Sequence, residues 1–77
     1  MDEIIEQNGA PLTIIANGQT RTIKAGSTVS DFLQDLAIAP ARVVVQLDGV
    51  IVPREQFAQA DLHEGSRLEI VTLVGGG

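Results

Sequence analysis

Residues 12–36, LTIIANGQTRTIKAGSTVSDFLQDL, decide the fold of this chain. Asn17-Gly18 separates two runs rich in β-forming residues. Such a pair is the strongest short signal of a hairpin, because both turn positions need positive φ. With a two-residue turn, Leu12 and Ile23 would face the same side of the hairpin. The stretch therefore predicts a β-hairpin that is followed directly by a helix.

The helix is predicted to begin after Thr28. Thr28 and Asp31 resemble a capping box, in which Asp replaces the usual Glu or Gln. Ile38 is expected to tuck under the helix end, and Pro40 prevents the helix from continuing. Apolar residues recur at helical spacing and form one stripe about three turns long, made of Val29, Phe32, Leu33 and Leu36.

The remaining sequence predicts further strands. Residues 42–47 are rich in β-branched side chains and precede a second turn signal, Asp48-Gly49. Residues 50–52 form a short extended piece, and Pro53 would be the first residue of a short helical turn. The last predicted strand covers residues 66–74, and two buried anchors of the core are expected at Phe57 and Leu62.

This order of elements predicts a two-layer α+β domain of the β-grasp type. One helix cannot bury its apolar stripe alone, so it must pack across a mixed sheet of four to five strands. The last strand would be central and parallel to the first. We expect a flexible leader at residues 1–10, the domain at residues 11–74 and a flexible glycine tail at residues 75–77.

Composition limits the function classes. A length of 77 residues allows one small domain, and a hydrophobic fraction of 44% with mean hydropathy +0.21 argues against disorder. Five Lys and Arg against ten Asp and Glu disfavour nucleic-acid binding. The lack of cysteine excludes disulfides and thiolate metal sites. With no secretory signal and no apolar stretch of membrane-spanning length, a cytoplasmic location is predicted.

The end of the sequence is its most unusual feature. Leu73-Val74 leads into Gly75-Gly76-Gly77, so a carboxylate at Gly77 would sit on a stalk without side chains. We expect this carboxylate to be the reacting group; a frayed end is the alternative. Neither His63, for which no metal partners are visible, nor the helix carboxylates Asp31 and Asp35 are predicted to be catalytic. Arg54-Glu55 either contacts a partner or is simply solvated.

A docking face is predicted from strand alternation. If the inner positions of the strands face the helix, Ile15, Val44 and Val71 turn to the opposite face of the sheet. Leu73 and Val74 would extend this apolar surface toward the glycines. Exposed patches of this kind often mark interfaces, although scattered apolar surface residues are also common.

Three segments resemble a known family, the ThiS sulfur carriers of thiamine biosynthesis, which are ubiquitin-like β-grasp proteins. The resemblance covers residues 12–77 and is most specific at residues 47–57, LDGVIVPREQF. Residues 25–33 and residues 65–71 with the terminal glycines are also similar. Asp48 stands where the family often has Asn, residues before Leu12 are extra, and Gly75 precedes the usual glycine pair. The absence of proline before the glycines favours this family over molybdopterin sulfur carriers.

The resemblance implies a protein co-substrate rather than an enzyme. A ThiF-like adenylating enzyme would consume ATP to activate Gly77, sulfur would convert it to a thiocarboxylate, and a ThiG-like thiazole synthase would receive the sulfur. The carrier itself would be a monomer with no bound cofactor or metal. Three alternatives stay open: a sulfur carrier of the molybdopterin type, a ubiquitin-like modifier conjugated to lysines, and a plain β-grasp binding module.

Overall fold

The computed structural model describes residues 9–73. The predicted leader falls mostly outside this range, and so do Val74 and the three terminal glycines, so the division into leader, domain and tail stays a prediction. The elements follow the predicted order: strands β1 (Leu12–Ala16) and β2 (Gln19–Ile23), helix α1 (Val29–Asp35), and strands β3 (Val43–Leu47), β4 (Val50–Val52) and β5 (Arg67–Thr72).

The five strands form one mixed sheet in the order β2-β1-β5-β3-β4. β5 is central, runs parallel to β1 and pairs antiparallel with β3. The two hairpins, β1-β2 and β3-β4, are antiparallel. This arrangement confirms the predicted ubiquitin-like β-grasp fold, with the last strand between the two hairpins.

Both hairpins turn on two residues with positive φ. Asn17 and Gly18 have φ of 50° and 81°, and Asp48 and Gly49 have φ of 51° and 86°. Two successive residues with positive φ define the type I′ turn, whose twist matches that of the flanking strands. The turn pairs Leu12 with Ile23, as predicted, so the register of the first hairpin is confirmed.

The N-terminus of α1 is satisfied by its own side chains and by a distant segment. Thr28 Oγ1 accepts from the Asp31 N–H at 3.2 Å, and Asp31 Oδ2 accepts from the Thr28 N–H at 2.9 Å, which confirms the capping box. The N–H groups of Val29 and Ser30 donate to the carbonyls of Ala60 and Phe57, at 2.9 and 3.0 Å. The helix start is therefore tied to the segment that precedes β5.

The core lies between α1 and the inner face of the sheet. The helix contributes Val29, Phe32 and Leu33, and the predicted anchors Phe57 and Leu62 are each 3% exposed. Leu36 and Ile38 are half-buried and pack against the same cluster. The strands supply the remaining buried apolar side chains, which are Ile14, Ala16, Ile23, Val43, Val45 and Leu68.

Several boundaries differ from the predictions. β5 covers Arg67–Thr72 instead of starting at residue 66, and α1 has seven residues, about two turns instead of three. Pro53 is not the first residue of a helical turn: it precedes the 3-10 turn Arg54–Gln56 with an extended backbone, φ −60° and ψ 146°. A second 3-10 turn, Pro40–Arg42, delays the start of β3 to Val43. Pro40 is the first residue of its 3-10 turn, whereas Pro53 lies just before one, because the fixed φ of proline suits either position. Within residues 9–73, no helix is long and apolar enough to cross a membrane.

Candidate functional site

The candidate site is the end of β5, where the chain leaves the centre of the sheet. β5 ends at Thr72, and the Leu73 N–H then donates to the carbonyl of Arg42 at 2.7 Å. The predicted site residues Gly75, Gly76 and Gly77, together with Val74, follow next in the sequence and lie outside the described range. The described structure thus brings the chain to the base of the predicted tail.

β5 is held on its β1 side by a short ladder that a side chain extends. The N–H groups of Ile15 and Asn17 donate to the carbonyls of Ser66 and Leu68, at 2.9 and 2.8 Å. Beyond that point β1 turns away into the hairpin. There the Asn17 side chain continues the ladder: Oδ1 accepts from the Ile70 N–H at 2.7 Å, and Nδ2 donates to the Ile70 carbonyl at 3.1 Å.

The opposite hairpin fastens the start of β5 in a similar way. The Asp48 N–H donates to the Arg67 carbonyl at 2.8 Å, and Asp48 Oδ1 accepts from the Arg67 N–H at 2.9 Å. A residue in the first position of each type I′ turn therefore fixes β5 through its side chain. Asp48 holds the beginning of the strand, and Asn17 holds it three residues further on.

An exposed apolar surface surrounds the point where β5 ends. Val44 and Val71 are cross-strand partners on the face away from α1, and they are 36% and 58% exposed. Leu73 continues the alternation of β5 and is 47% exposed. Ile51, paired with Gln46 on the same face, is 59% exposed. We call Val44, Ile51, Val71 and Leu73 the outer patch.

Ile15 does not join the outer patch. It faces the same side of the sheet, but its side chain is half-buried, unlike the exposed residues of the patch. It also pairs with Arg67, at the opposite end of β5 from Val71. Four residues of strand separate these positions, a distance of about 13 Å. Of the described residues predicted to dock a partner, the structure thus brings together Val44, Val71 and Leu73.

A shallow groove runs beside the outer patch. Val44, Ile51 and Leu73 line it together with Pro53, just before the 3-10 turn after β4. Arg54 and Glu55, both exposed, also line this groove. The two charged residues therefore border an apolar depression next to the base of the tail, instead of lying on an unrelated surface.

Among the other polar candidates, Asp31 has a structural role, whereas His63 and Asp35 are exposed side chains. The Asp31 carboxylate belongs to the capping box of α1. His63 is exposed, and its backbone N–H donates to Ser66 Oγ at 2.8 Å. Within the described part of the chain, no group of three His, Asp or Glu side chains is arranged to hold a metal ion.

Comparison with known proteins identifies the family. The model of the ThiS family matches residues 8–77, which is nearly the whole sequence. The chain belongs to the ThiS family. The ThiS-family protein of Escherichia coli K12, named sulfur carrier protein ThiS, is 32% identical over 66 residues, which are 86% of this chain and 100% of that one.

Two further relatives are proteins named thiazole synthase. The one from Paramagnetospirillum magneticum is 35% identical over 66 residues, and the one from Magnetococcus marinus is 32% identical. The matched region is 86% of this chain in both cases, but the chain spans only 20% of the length of these relatives. A ThiS-like segment thus forms a minor part of two longer proteins with that name.

Solved structures support the fold assignment. The crystal structure of the thiamine biosynthesis protein ThiS from Geobacter metallireducens has a TM-score of 0.72 and 29% sequence identity, and the match covers 86% of this chain and 100% of that one. A solution structure of a thiamine biosynthesis protein from the same organism gives a TM-score of 0.67. The β-grasp fold of this ThiS-family chain therefore agrees with experimental neighbours.

The ThiS-family resemblance was most specific at residues 47–57, and the structure gives that segment a physical meaning. It contains the Asp48 turn that fastens β5, the edge strand β4 and the 3-10 turn beside the groove. Two residues that contribute to this site, Ile51 and Asn17, were not identified from the sequence. Ile51 could have been found from the alternation of β4 once the strand's register was known, but Asn17 carried only a turn signal, which does not reveal its contact with Ile70.

Proposed function

We propose that this chain is a sulfur carrier in thiamine biosynthesis and that the carboxylate of Gly77 carries the sulfur. The supporting observation is that the ThiS family match extends through residue 77, on a sheet whose central strand leads toward the terminal glycines. The named function of the Escherichia coli relative agrees with this proposal. In this role the chain is a co-substrate, and its partners catalyse the reactions.

The chemistry explains why a partner enzyme and ATP are needed. A carboxylate is a poor electrophile, because its charge is delocalised and it has no good leaving group. A ThiF-like enzyme would join the Gly77 carboxylate to AMP and release pyrophosphate. A hydrosulfide ion would then attack the carbonyl carbon and displace AMP, leaving a thiocarboxylate after loss of its proton. The chain has no cysteine, so this sulfur must be supplied by another protein or molecule.

Glycine suits the predicted tail for a steric reason. Without Cβ, Gly76 and Gly77 can enter a narrow channel and adopt φ values that are closed to other residues. Ordering such a segment on binding costs conformational entropy. Contacts made by the folded domain can offset that cost, so a docking surface close to the base of the tail is expected.

We propose the outer patch as that docking surface. Its four apolar side chains are exposed, contiguous across β4, β3 and β5, and next to the groove bordered by Arg54 and Glu55. Exposed apolar groups with a polar rim are typical of interfaces. Ile15 is left out of this surface because it lies at the other end of β5.

A thiazole synthase is the proposed sulfur acceptor. Two proteins with that name contain a region similar to this chain, which suggests that a ThiS-like domain and a thiazole synthase act in the same process. A ThiF-like adenylating enzyme is proposed from the family resemblance and the chemistry of the carboxylate. Both partners would contact the carrier in the cytoplasm.

Mass spectrometry of the intact protein tests the proposal. The chain is incubated with ATP, an adenylating enzyme of the ThiF type and a sulfur donor. We expect a mass increase equal to the exchange of one oxygen for sulfur, located at Gly77 by fragmentation. A variant lacking Gly76 and Gly77 is the control and should show no change. The function would be excluded if the wild-type chain stays unmodified in the presence of an adenylating enzyme that is shown to modify its own native carrier. Conjugates of this chain with other proteins that resist reductant would instead favour a lysine modifier.

A further inference from the structure

The side chain of Asn17 takes the place of the next residue of β1. β1 ends at Ala16, and the Asn17 backbone N–H makes the last main-chain bond from β1 to β5, with the Leu68 carbonyl. The chain then turns away at φ 50°. The amide of Asn17 nevertheless reaches Ile70 and bonds both its N–H and its carbonyl, at 2.7 and 3.1 Å. An amide side chain can do this because it has both a donor and an acceptor.

This contact is the last support of β5 on its β1 side among the described residues. Past Ile70, the recorded pairing of β5 is with β3 alone, where Val71 faces Val44 and Thr72 faces Val43. The Leu73 N–H then bonds the Arg42 carbonyl on that same side. Without the Asn17 side chain, the two-sided ladder would end two residues earlier, and the last part of β5 would be attached along one edge only.

We propose that Asn17 is a positioning residue that fixes the end of β5, up to Leu73, so that the chain beyond it leaves the sheet from a fixed point when the partner enzyme captures it. This inference rests on the proposed function. Reactions between bound groups depend steeply on their alignment, and a strand end with more freedom must lose more entropy when it is captured. A loosened strand end should therefore slow the activation of Gly77 without weakening the docking of the domain.

If Asn17 only stabilised the fold, removing the equivalent side chain in the second hairpin should have the same effect. That residue therefore offers a matched control. Asp48 occupies the equivalent turn position, with φ 51°, and fastens β5 at Arg67, at the opposite end of the strand from Leu73. The variant Asn17→Gly removes two side-chain hydrogen bonds to Ile70, and Asp48→Gly removes one to Arg67. Both leave a Gly-Gly turn, which the type I′ geometry accepts, so neither adds backbone strain.

Amide hydrogen exchange measures the positioning directly. In Asn17→Gly we expect the Leu73 amide to exchange about tenfold faster than in the wild-type chain, because its bond to Arg42 would open more often. In Asp48→Gly the Arg67 amide should exchange faster, and the Leu73 amide should be unchanged. Equal effects of the two variants on Leu73, or no effect of Asn17→Gly, would overturn the inference. If Asn17→Gly does not fold, Asn17→Asp removes only the donor, and an unchanged Leu73 rate in that variant would also overturn it.

Kinetics with the adenylating enzyme separate positioning from docking. For Asn17→Gly we expect kcat to fall about tenfold while KM stays within about twofold of wild type, and both constants should stay near wild type for Asp48→Gly. Matching losses in the two variants would indicate a structural role and overturn the inference. Failure of the wild-type chain to be adenylated would instead overturn the proposed function, and the Leu73 exchange rates would still decide whether Asn17 fixes the end of β5.

Discussion

Asn17 and Asp48 occupy equivalent turn positions but form different hydrogen bonds with β5. Asn17 uses both its donor and its acceptor toward Ile70, whereas Asp48 accepts a single bond from the Arg67 N–H. At position 48 the contact with β5 requires only a side-chain oxygen as acceptor, and either Asp or Asn supplies one. This explains why Asp48 can stand where the family resemblance leads us to expect Asn.

Exchanging the two residue types should therefore have unequal effects. Asp48→Asn keeps the acceptor, and we expect the free energy of unfolding to change by less than about 0.5 kcal/mol. Asn17→Asp removes the donor and places a carboxylate against the Ile70 carbonyl, which should cost about 1–3 kcal/mol. Urea denaturation of the two variants and wild type measures the difference. Equal stabilities of the two variants would contradict the hydrogen-bond assignment.

At the scale of elements, α1 owes its short length to the residues at its ends. It has seven residues, too few to be stable alone, and it depends on its capping box and its buried face. Its C-terminus is a Schellman motif: the Ala37 N–H donates to the Gln34 carbonyl at 3.0 Å and the Ile38 N–H to the Leu33 carbonyl at 2.9 Å. Ala37 adopts φ 59° there, where glycine is usual.

Replacing Ala37 with glycine should stabilise the protein. Alanine pays a steric cost in the left-handed region that glycine avoids, so we expect Ala37→Gly to raise the free energy of unfolding by about 1 kcal/mol. Ala39→Gly is the matched control, because Ala39 is also exposed but has φ −73°. There glycine only adds freedom to the unfolded chain and should lower stability slightly. Thermal unfolding of both variants checks the opposite signs.

At the scale of the whole molecule, the fold separates a packed face from an exposed apolar face. The inner side of the sheet is covered by α1, and the outer side carries the patch at the end of β5. The outer patch joins residues that are far apart in the sequence, from Val44 on β3 to Leu73 after β5. Its continuity depends on β5 lying next to β3 in the sheet.

Polar substitution in the outer patch should weaken binding to the adenylating enzyme and leave the fold intact. We expect Val71→Ser to raise KM about tenfold, because an apolar contact at the centre of an interface is lost. Val50→Ser is the control: Val50 is 67% exposed, but it pairs with Leu47 on the inner side of the sheet, away from the patch. Steady-state kinetics with each variant carrier measure KM, and equal effects of the two substitutions would exclude the patch as the docking surface.

Local signals determined most of the elements. Asn17-Gly18 and Asp48-Gly49 specified both hairpin turns, because few residues tolerate positive φ. Thr28 and Asp31 specified the start of α1, and its apolar spacing specified the face that is buried. The boundaries near Pro40 and Pro53 were less accurate, since the fixed φ of proline suits both the first residue of a turn, as at Pro40, and the residue before one, as at Pro53.

The turns, the helix and the buried stripe can all be predicted from the sequence, because each depends on neighbours within a few residues. The sequence also carried the ThiS-family segments and the terminal glycines on which the proposed function rests. The folded structure was needed to show that Ile15 lies apart from Val71, that Ile51 joins the outer patch, and that the Asn17 amide reaches Ile70, 53 residues away. These relations depend on the order and register of the strands, which arise from pairing between distant segments and leave no mark at either position alone.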